Sequence, residues 1–206
     1  MTITPITLEG QHVRLEPLSL AHLDALCEVG LDEDLWRWTP DQARTRDDMR
    51  TYILEALAGQ ERGTMLPFAT VLRAESRVVG STRFGNIDLR HRRVEIGWTW
   101  IARSWQRTAV NTEAKLLMLR HAFETLGCIR VELKTDALND RSRQAILRLG
   151  AKEEGIFRQH MVMPAGHFRD TVYYSILDRE WPEIKVKLGE RLDGPHARQV
   201  SRVEAS

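Results

Sequence analysis

The stretch from Arg93 to Asp136 constrains the fold of this chain most. Its pattern predicts a strand over Arg93–Ile101, a helix over about Thr112–Leu126 that Gly127 ends, and a second strand over Ile129–Asp136. Two strands joined by one helix have to lie parallel when they share a sheet. Both strands are rich in apolar residues, which is typical of a buried position. The sequence therefore predicts a parallel β-α-β core.

The segments on either side of this core predict hairpins and further helices. Short turns join successive strands there, so these strands are expected to pair antiparallel. The predicted strands are His12–Pro17, Leu66–Arg73, Val78–Asp88, Ile156–Met163 and Phe168–Leu177. The predicted helices are Ser19–Val29, a second that begins at Thr45 or Asp47 and ends at Gly59, and Asp140–Leu149. We expect an α/β fold: a mixed, mostly antiparallel sheet with helices on both faces.

Length and composition favour one domain and no metal. The 206 residues suffice for one α/β core, which we place at residues 1–183, and the polar stretch 184–206 is expected to be a mobile tail. Cys27 and Cys128 lie far apart and H-E-x-x-H is absent, so we predict neither a zinc site nor any other metal.

Charge and targeting signals are equally uninformative about large partners. The 30 Lys+Arg nearly balance the 29 Asp+Glu, which gives no argument for nucleic acid or a membrane surface. No apolar run reaches the length of a membrane span, and the first residues do not resemble a secretion signal. The expected compartment is the cytoplasm.

The junction between the first core strand and the long helix is a candidate anion site. A strand that runs through a short loop into a helix start presents free backbone N–H groups and the positive end of the helix dipole. Gln106, Arg107, Thr108 and Asn111 add side-chain donors there. The two common nucleotide motifs, G-x-x-x-x-G-K-[ST] and G-x-G-x-x-G, are both absent.

Three stretches, EIGWTW, QRTAVNTEAK and ALNDRSRQAILRLGA, carry a family resemblance. With the order of elements, they resemble the GNAT superfamily of acetyl-CoA-dependent N-acetyltransferases, and within it the RimJ/RimL-type enzymes that acetylate N-termini of ribosomal proteins. The resemblance covers roughly Val13 to Leu177. It implies a sheet that is split to admit coenzyme A, with acetyl-CoA as cosubstrate.

The resemblance also implies where the cofactor lies. The family's pyrophosphate motif is [Q/R]-x-x-G-x-[G/A]; Gln106 fits it, whereas Ala109 and Asn111 replace the small residues. Ala109 requires a backbone without a strongly positive φ, and Asn111 suits a helix N-cap. One N–H of the strand end would polarise the thioester carbonyl. The implied cofactor-binding residues are Thr99, Trp100, Ile101, Gln106, Arg107, Thr108, Ala109, Val110, Asn111 and Asn139.

Glu95 is the candidate general base. Alternation along the strand puts Val94, Ile96, Trp98 and Trp100 on one face and Glu95, Gly97, Thr99 and Ile101 on the other. Burial makes a carboxylate a stronger base, and Glu95 matches the position of a glutamate base in histone acetyltransferases of the superfamily. The alternative is a structural carboxylate that pairs with Arg92, Arg93 or a backbone N–H.

Ser142 is the candidate acid that protonates the leaving thiolate. It shares the inward stripe of its helix with Ala145, Ile146 and Leu149, behind the N-cap Asn139. Many GNAT enzymes have a tyrosine acid where Ile146 stands, and RimL-like enzymes resemble this chain in using a serine at the position of Ser142. A satisfied first-turn hydroxyl is the alternative. Tyr173 and Tyr174 are other proton donors to consider.

These residues predict direct acetyl transfer to a primary amine in a ternary complex, with a protein N-terminus as the favoured acceptor. A small amine, or a non-catalytic CoA-binding module, are the alternatives. Trp36 and Trp38 could wall the amine pocket or anchor a loop, and the basic turn Arg90–Arg93 reads as a solvated hairpin tip or an acceptor contact. Family members are often dimers, so a homodimer is an open expectation.

Overall fold

A computed structural model describes residues 3–194, which form one eight-stranded sheet with helices on both faces. The strand order is β1-β2-β3-β4-β5-β6-β8-β7, and every pair is antiparallel except β5–β6. The predicted mixed sheet is confirmed. The strands are β1 (Leu8–Glu9), β2 (Val13–Pro17), β3 (Leu66–Leu72), β4 (Arg77–Asp88), β5 (Arg93–Ile101), β6 (Arg130–Asp136), β7 (Lys152–Val162) and β8 (Phe168–Leu177).

The helices divide between the two faces of the sheet. One apolar cluster joins α1 and α3 to the sheet and contains Leu26, Met49, Ile53 and Trp100, while the larger cluster lies under α4, α5 and α6. The helices are α1 (Leu23–Gly30), α2 (Glu33–Trp36), α3 (Arg46–Glu61), α4 (Ala109–Arg120), α5 (Asp140–Arg148) and α6 (Trp181–Asp193). A π-helical segment, His121–Thr125, continues α4.

The parallel pair at the centre is short, and the sheet opens beyond it. β5 and β6 are in register only from Arg93–Glu95 against Arg130–Glu132. Beyond Glu95, β5 stays with β4 while β6 stays with β8 as far as Asp136. The two halves of the sheet therefore diverge from Glu95 onward, in agreement with the split that the family resemblance implies.

A bulge at Trp98 corrects the predicted faces of β5. Trp98 has φ 49°, and the register with β4 shifts between Gly97 and Trp100. One extra residue reverses the side-chain alternation. Trp100 therefore packs toward α1 and α3, although it was expected on the face of Val94 and Ile96. Thr99 and Ile101 move instead to the α4 face and no longer share the face of Glu95.

The bulge has space because Gly85 on β4 lies beneath the indole of Trp98. A Cβ built at Gly85 would lie 2.2 Å from the Cζ3 atom of Trp98, so only glycine permits this close packing. The hydroxyl of Tyr52, on α3, donates to the Trp98 carbonyl at 3.3 Å. Two neighbouring elements, β4 through Gly85 and α3 through Tyr52, therefore hold the bulge in place.

The C-terminal segment corrects the predicted domain boundary. Residues 184–193 were expected in a mobile tail, but they belong to α6, whose Ile184, Leu188 and Leu192 are buried. Apolar residues at i, i+4 and i+8 mark one helix face, and that face packs against α4. The rest of the predicted tail, from residue 195 on, lies outside the described residues. No helix within residues 3–194 is long and apolar enough to cross a membrane.

Candidate active site

The split in the sheet opens into a cavity of about 410 Å³, which we call the central cavity. It is lined by β5 and α4 on one side and by β6 and α5 on the other, with the α2–α3 loop across one end. Eight of the twelve predicted site residues line it. They are Glu95, Thr99, Trp100, Ile101, Gln106, Asn111, Asn139 and Ser142.

The four other predicted residues, Arg107–Val110, form the entry to α4 beside this cavity. Thr108 is the N-cap and accepts from the backbone N–H of Val110 at 3.3 Å, so the helix begins three residues before the predicted start. Asn111 therefore lies inside the first turn and is not the cap that we expected. Ala109 avoids a positive φ, and Arg107 takes one instead, at 65°. The first N–H groups of α4 remain the candidate anion site.

Gln106 bridges the two sides of the split. Its amide nitrogen donates to the Ile101 carbonyl at 2.7 Å, and its amide oxygen accepts from the guanidinium of Arg141 on α5. The bridge fixes the loop that leads into α4. It also brings a cation, Arg141, to the edge of the central cavity near the α4 N-terminus.

Glu95 lies where β5 and β6 part, and its side chain is 3 % exposed. Its Oε2 accepts from Asn86 Nδ2 at 2.6 Å and forms an ion pair with Lys134 Nζ at 2.9 Å. The structural alternative named Arg92 and Arg93, and neither is the partner: Arg92 donates to the Gly127 carbonyl and Arg93 pairs with Asp88 and Glu132. Oε1 makes no hydrogen bond to any described residue, so one oxygen stays available.

Asn139 and Ser142 occupy the start of α5 as predicted. The Asn139 Oδ1 atom accepts from the Ser142 backbone N–H at 3.0 Å, which confirms Asn139 as the N-cap. Ser142 is half-buried and faces the central cavity together with Ala145, Ile146 and Leu149. The hydroxyl of Ser142 makes no hydrogen bond to any described residue, which leaves it free to act on a ligand.

The far end of the central cavity is aromatic. Trp36 is buried, donates from Nε1 to the Gly30 carbonyl at 2.7 Å and contacts the rings of Tyr52 and Trp100. Trp36 and Trp38 both line the cavity. Trp36 also anchors its loop through the hydrogen bond to Gly30, so one residue can be both cavity wall and loop anchor. Asp41 adds a carboxyl whose pKa is raised by burial. This end therefore combines apolar surface with one partly buried carboxyl group.

Two buried basic side chains of the central cavity were not identified from the sequence. Arg169 on β8 donates to Thr171 Oγ1 and to the Trp38 carbonyl, which ties the aromatic end to the sheet. Lys115 on α4 donates to Thr99 Oγ1 at 2.6 Å and to Thr82 Oγ1 at 3.0 Å. A signal for Lys115 was present, because it lies at i+4 from Asn111 and i−4 from Leu119, on the inner stripe of the helix.

The remaining candidates lie elsewhere. Tyr174 is fully buried and accepts from Arg143 Nε at 3.2 Å, and Tyr173 lines a second cavity on the other side of Glu95. In the basic turn, Arg90, His91 and Arg92 are exposed, in agreement with a hairpin tip. No group of three or more His, Cys, Asp or Glu side chains that could hold a metal lies within residues 3–194.

Comparison with known proteins identifies the family. The model of the acetyltransferase (GNAT) domain matches residues 12–152 of the chain. The protein belongs to the GNAT acetyltransferase family. This confirms the resemblance that the three sequence stretches carried.

Individual relatives match part or nearly all of the chain. YdaF of Bacillus subtilis, named a putative ribosomal N-acetyltransferase, is 35% identical over 107 residues, which are 52% of this chain and 57% of YdaF. The matched part thus spans little more than half of that relative. A GCN5-related N-acetyltransferase from Brucella melitensis is 33% identical, with TM-score 0.85 over 94% of this chain and 87% of that one.

A third relative carries a coenzyme derivative. Mycobacterium smegmatis RimJ, in complex with CoA-disulfide, superposes with TM-score 0.80 at 24% identity, over 91% of this chain and 95% of that one. At this identity the similarity shows a common fold.

Proposed function

We propose that this protein transfers an acetyl group from acetyl-CoA to a primary amine, with a protein N-terminus as the favoured acceptor. The observation that carries the proposal is the split at Glu95. It opens one cavity in which a free carboxylate oxygen, a free serine hydroxyl and the unpaired backbone of β5 come together.

The donor half of the cavity suits a phosphorylated thioester. The N–H groups of Thr108, Ala109 and Asn111 at the start of α4 would bind the pyrophosphate, whereas the N–H of Val110 donates to Thr108 Oγ1. Arg107 and Arg141 lie nearby and supply positive charge. Beyond the parallel pairing, the edge of β5 at Thr99–Ile101 faces the split, and its backbone groups there would pair with the pantetheine arm. The bound CoA derivative of RimJ, within the same fold, supports this placement.

The reaction needs one base and one acid. The amine nitrogen attacks the thioester carbonyl carbon, and Glu95 Oε1 takes the amine proton, directly or through one water. As the carbon–sulfur bond breaks, Ser142 donates a proton to the thiolate, and the proton held by Glu95 returns to Ser142 through water in the cavity, so that both residues regain their starting states. The proton given to sulfur balances the proton that Glu95 removed. A backbone N–H at the bulge stabilises the oxyanion.

No acyl-enzyme is proposed on cysteine. Cys27 and Cys128 both lie away from the central cavity, and burial raises the pKa of the Cys128 thiol to about 11. A thiol that stays protonated is a poor nucleophile. Direct transfer in a ternary complex is therefore the route that the cavity favours.

The aromatic end of the cavity takes the acceptor. Trp36, Trp38 and Tyr52 offer flat apolar walls, and the carboxyls of Asp41 and Glu95 favour an entering ammonium. The name of YdaF supports a ribosomal-protein N-terminus, which would place the enzyme in the cytoplasm. A homodimer stays a prediction.

Turnover of acetyl-CoA against a panel of peptides and small amines tests this function. We expect acetyl-CoA to raise the melting temperature and free CoA to appear only with an acceptor, faster with peptide N-termini than with amino acids or polyamines. If acetyl-CoA gives neither a thermal shift nor CoA release, the chain is not an acetyltransferase. Faster turnover of small amines than of peptides would support the acetyltransferase function and reject a protein N-terminus as the favoured acceptor.

Replacing the base tests its role. Glu95→Gln keeps the shape and an oxygen but loses proton acceptance, so kcat should fall on the order of 100-fold or more. The KM for acetyl-CoA should change little, because Glu95 faces the acceptor. The measurement is kcat and KM with the best peptide. Asn86→Ala, which removes one hydrogen bond of Glu95 and keeps the carboxylate, should cost far less; full activity of Glu95→Gln would make Glu95 purely structural.

Replacing the acid tests Ser142 separately. Ser142→Ala leaves the cap by Asn139 intact, so the melting temperature should stay unchanged while kcat drops roughly 10- to 100-fold. An activated thioester donor with a more acidic thiol needs less help in leaving and should restore part of the rate. A wild-type rate with acetyl-CoA, or a loss that such a donor does not reduce, would remove the acid role.

A further inference from the structure

Lys115 differs from every other lysine of this protein. The chain has five lysines, and four of them form ion pairs with glutamates: Lys134 with Glu95, Lys152 with Glu180, Lys185 with Glu124 and Lys187 with Glu183. Lys115 has no carboxylate within ion-pair distance among the described residues, yet it is 5 % exposed and lines the central cavity. A buried cation without a counter-charge is costly, so its surroundings have to fit an uncharged amine.

The hydrogen bonds around Lys115 do fit an uncharged amine. Its Nζ contacts Thr99 Oγ1 and Thr82 Oγ1, which lie 2.8 Å from each other, and Thr99 Oγ1 lies 3.3 Å from the Gly97 carbonyl. If Thr82 donates to Thr99 and Thr99 donates to Gly97, both hydroxyl protons are used. The two amine protons then bind the two hydroxyl oxygens, and the lone pair of Nζ stays free. An ammonium would carry a third proton without an acceptor among the described residues.

Burial acts in the same direction. It lowers the pKa of the Lys115 ammonium to about 7, so a large fraction of the amine is uncharged at neutral pH. An uncharged amine is a nucleophile, whereas the ion-paired ammonium groups of the other lysines have no lone pair. Because Thr99 is also where the pantetheine arm is expected, this nucleophile lies beside the proposed path of the thioester.

We propose that the enzyme acetylates itself at Lys115, taking the acetyl group from acetyl-CoA in the central cavity. The Nζ lone pair forms the new bond to the acetyl carbonyl carbon, and the carbon–sulfur bond breaks. One amine proton passes to the departing thiolate, so the products are an amide on Lys115 and free CoA. The proposal rests on the proposed function, because it needs acetyl-CoA bound in this cavity.

Acetylation of Lys115 adds no charge to the buried site and keeps part of its hydrogen bonding. Acetylation leaves one N–H on Nζ, which can still donate to one threonine, and Thr82 and Thr99 keep their own hydrogen bond. The added acetyl group extends into the central cavity and takes up space near Thr99. Self-acetylation should therefore slow later turnover, most of all when no acceptor amine competes for the thioester.

The test incubates the full-length protein with acetyl-CoA and no acceptor, followed by peptide mass mapping over time. We expect the peptide with Lys115 to gain one acetyl group at least about tenfold faster than peptides with the four ion-paired lysines, because only an uncharged amine attacks. Excess desulfo-CoA, which binds the same site without a thioester, should suppress acetylation of Lys115 and leave slow acetylation of exposed lysines unchanged.

The Lys115→Arg variant and the competition with desulfo-CoA together distinguish the possible outcomes. Lys115→Arg keeps a hydrogen-bond donor but has no nucleophilic amine, so its fast acetyl gain should vanish. An unmodified Lys115 in a protein that binds acetyl-CoA and acetylates peptides would overturn this proposal and leave the proposed function standing. Acetylation of Lys115 that desulfo-CoA does not suppress would also overturn it, as ordinary chemical modification. Absence of any acetyl-CoA binding would reject both proposals.

Discussion

Glu113 and Lys115 lie two residues apart on α4, both buried, and they face opposite regions of the molecule. Glu113 accepts from the backbone N–H groups of Gln11, His12 and Val13 at 2.6–2.7 Å, at the turn between β1 and β2. Lys115 turns inward to the split and finds only two threonine hydroxyls. One helix thus carries a fully hydrogen-bonded carboxylate on its outer side and, on its inner side, a buried lysine without a counter-charge among the described residues.

The contrast separates a residue that stabilises the fold from a residue that lines the candidate active site. Three donors around one carboxylate satisfy it fully, so Glu113 works as an anchor between α4 and the first hairpin. A buried amine with no counter-charge gains no such stabilisation, and residues of this kind cluster at functional sites. The outer side of α4 therefore contributes to stability, whereas Lys115 on the inner side lowers stability because it is buried without a counter-charge.

Removing the anchor should give the largest effect on stability. Glu113→Ala leaves three backbone N–H groups without an acceptor, so the free energy of unfolding should fall by roughly 3–5 kcal/mol. Denaturant unfolding of variant and wild type measures the difference. Glu113→Gln keeps one acceptor oxygen and should lose less stability, and Glu183→Ala, at an exposed ion pair, should lose the least. A loss of stability in Glu113→Ala as small as that in Glu183→Ala would mean that Glu113 does not anchor α4 to the first hairpin.

Lys115 should give a smaller effect that depends on pH. Its pKa is lowered to about 7 in the folded protein, whereas the unfolded chain has the ordinary value of 10.5. Between these values the unfolded state binds more protons, so the stability of the wild type rises as pH rises. Relative to Lys115→Met, the wild type should gain roughly 3 kcal/mol between pH 7 and about pH 10.

The same titration on an exposed lysine provides the control. Lys187→Met, which removes the surface pair with Glu183, should differ from wild type by less than about 1 kcal/mol. A wild type that loses stability relative to Lys115→Met as pH rises from 7 would mean that Lys115 is held charged, and the contrast with Glu113 would disappear.

Several features of the site were within reach of the sequence. The crossover from β5 through α4 to β6 follows from length and apolar pattern, and Asn139 is identified as a cap by its place before an inward stripe. Thr45 was one of two predicted starts of α3, and it caps that helix together with Asp48. These predictions hold because caps and periodicity depend on residues close in the chain.

Other features depend on partners far along the chain. The bulge at Trp98 needs the empty space above Gly85, so an alternating pattern placed Trp100 on the wrong face. The partners of Glu95 come from β4 and β6, and the nearby arginines that sequence distance suggested pair elsewhere. The buried face of α6 was hidden in a stretch whose overall composition is polar.

The sequence by itself determined most of the elements, their order, the parallel crossover and the stretches that resemble GNAT acetyltransferases, although β1, α2 and α6 were not predicted. Local steric and hydrogen-bonding preferences are sufficient for the elements and their order. Only the tertiary structure decided which charges are satisfied, because a counter-charge is found in space and not along the chain. It alone distinguished Glu113, held by three N–H groups, from Lys115, which contacts two threonine hydroxyls and has no counter-charge among the described residues.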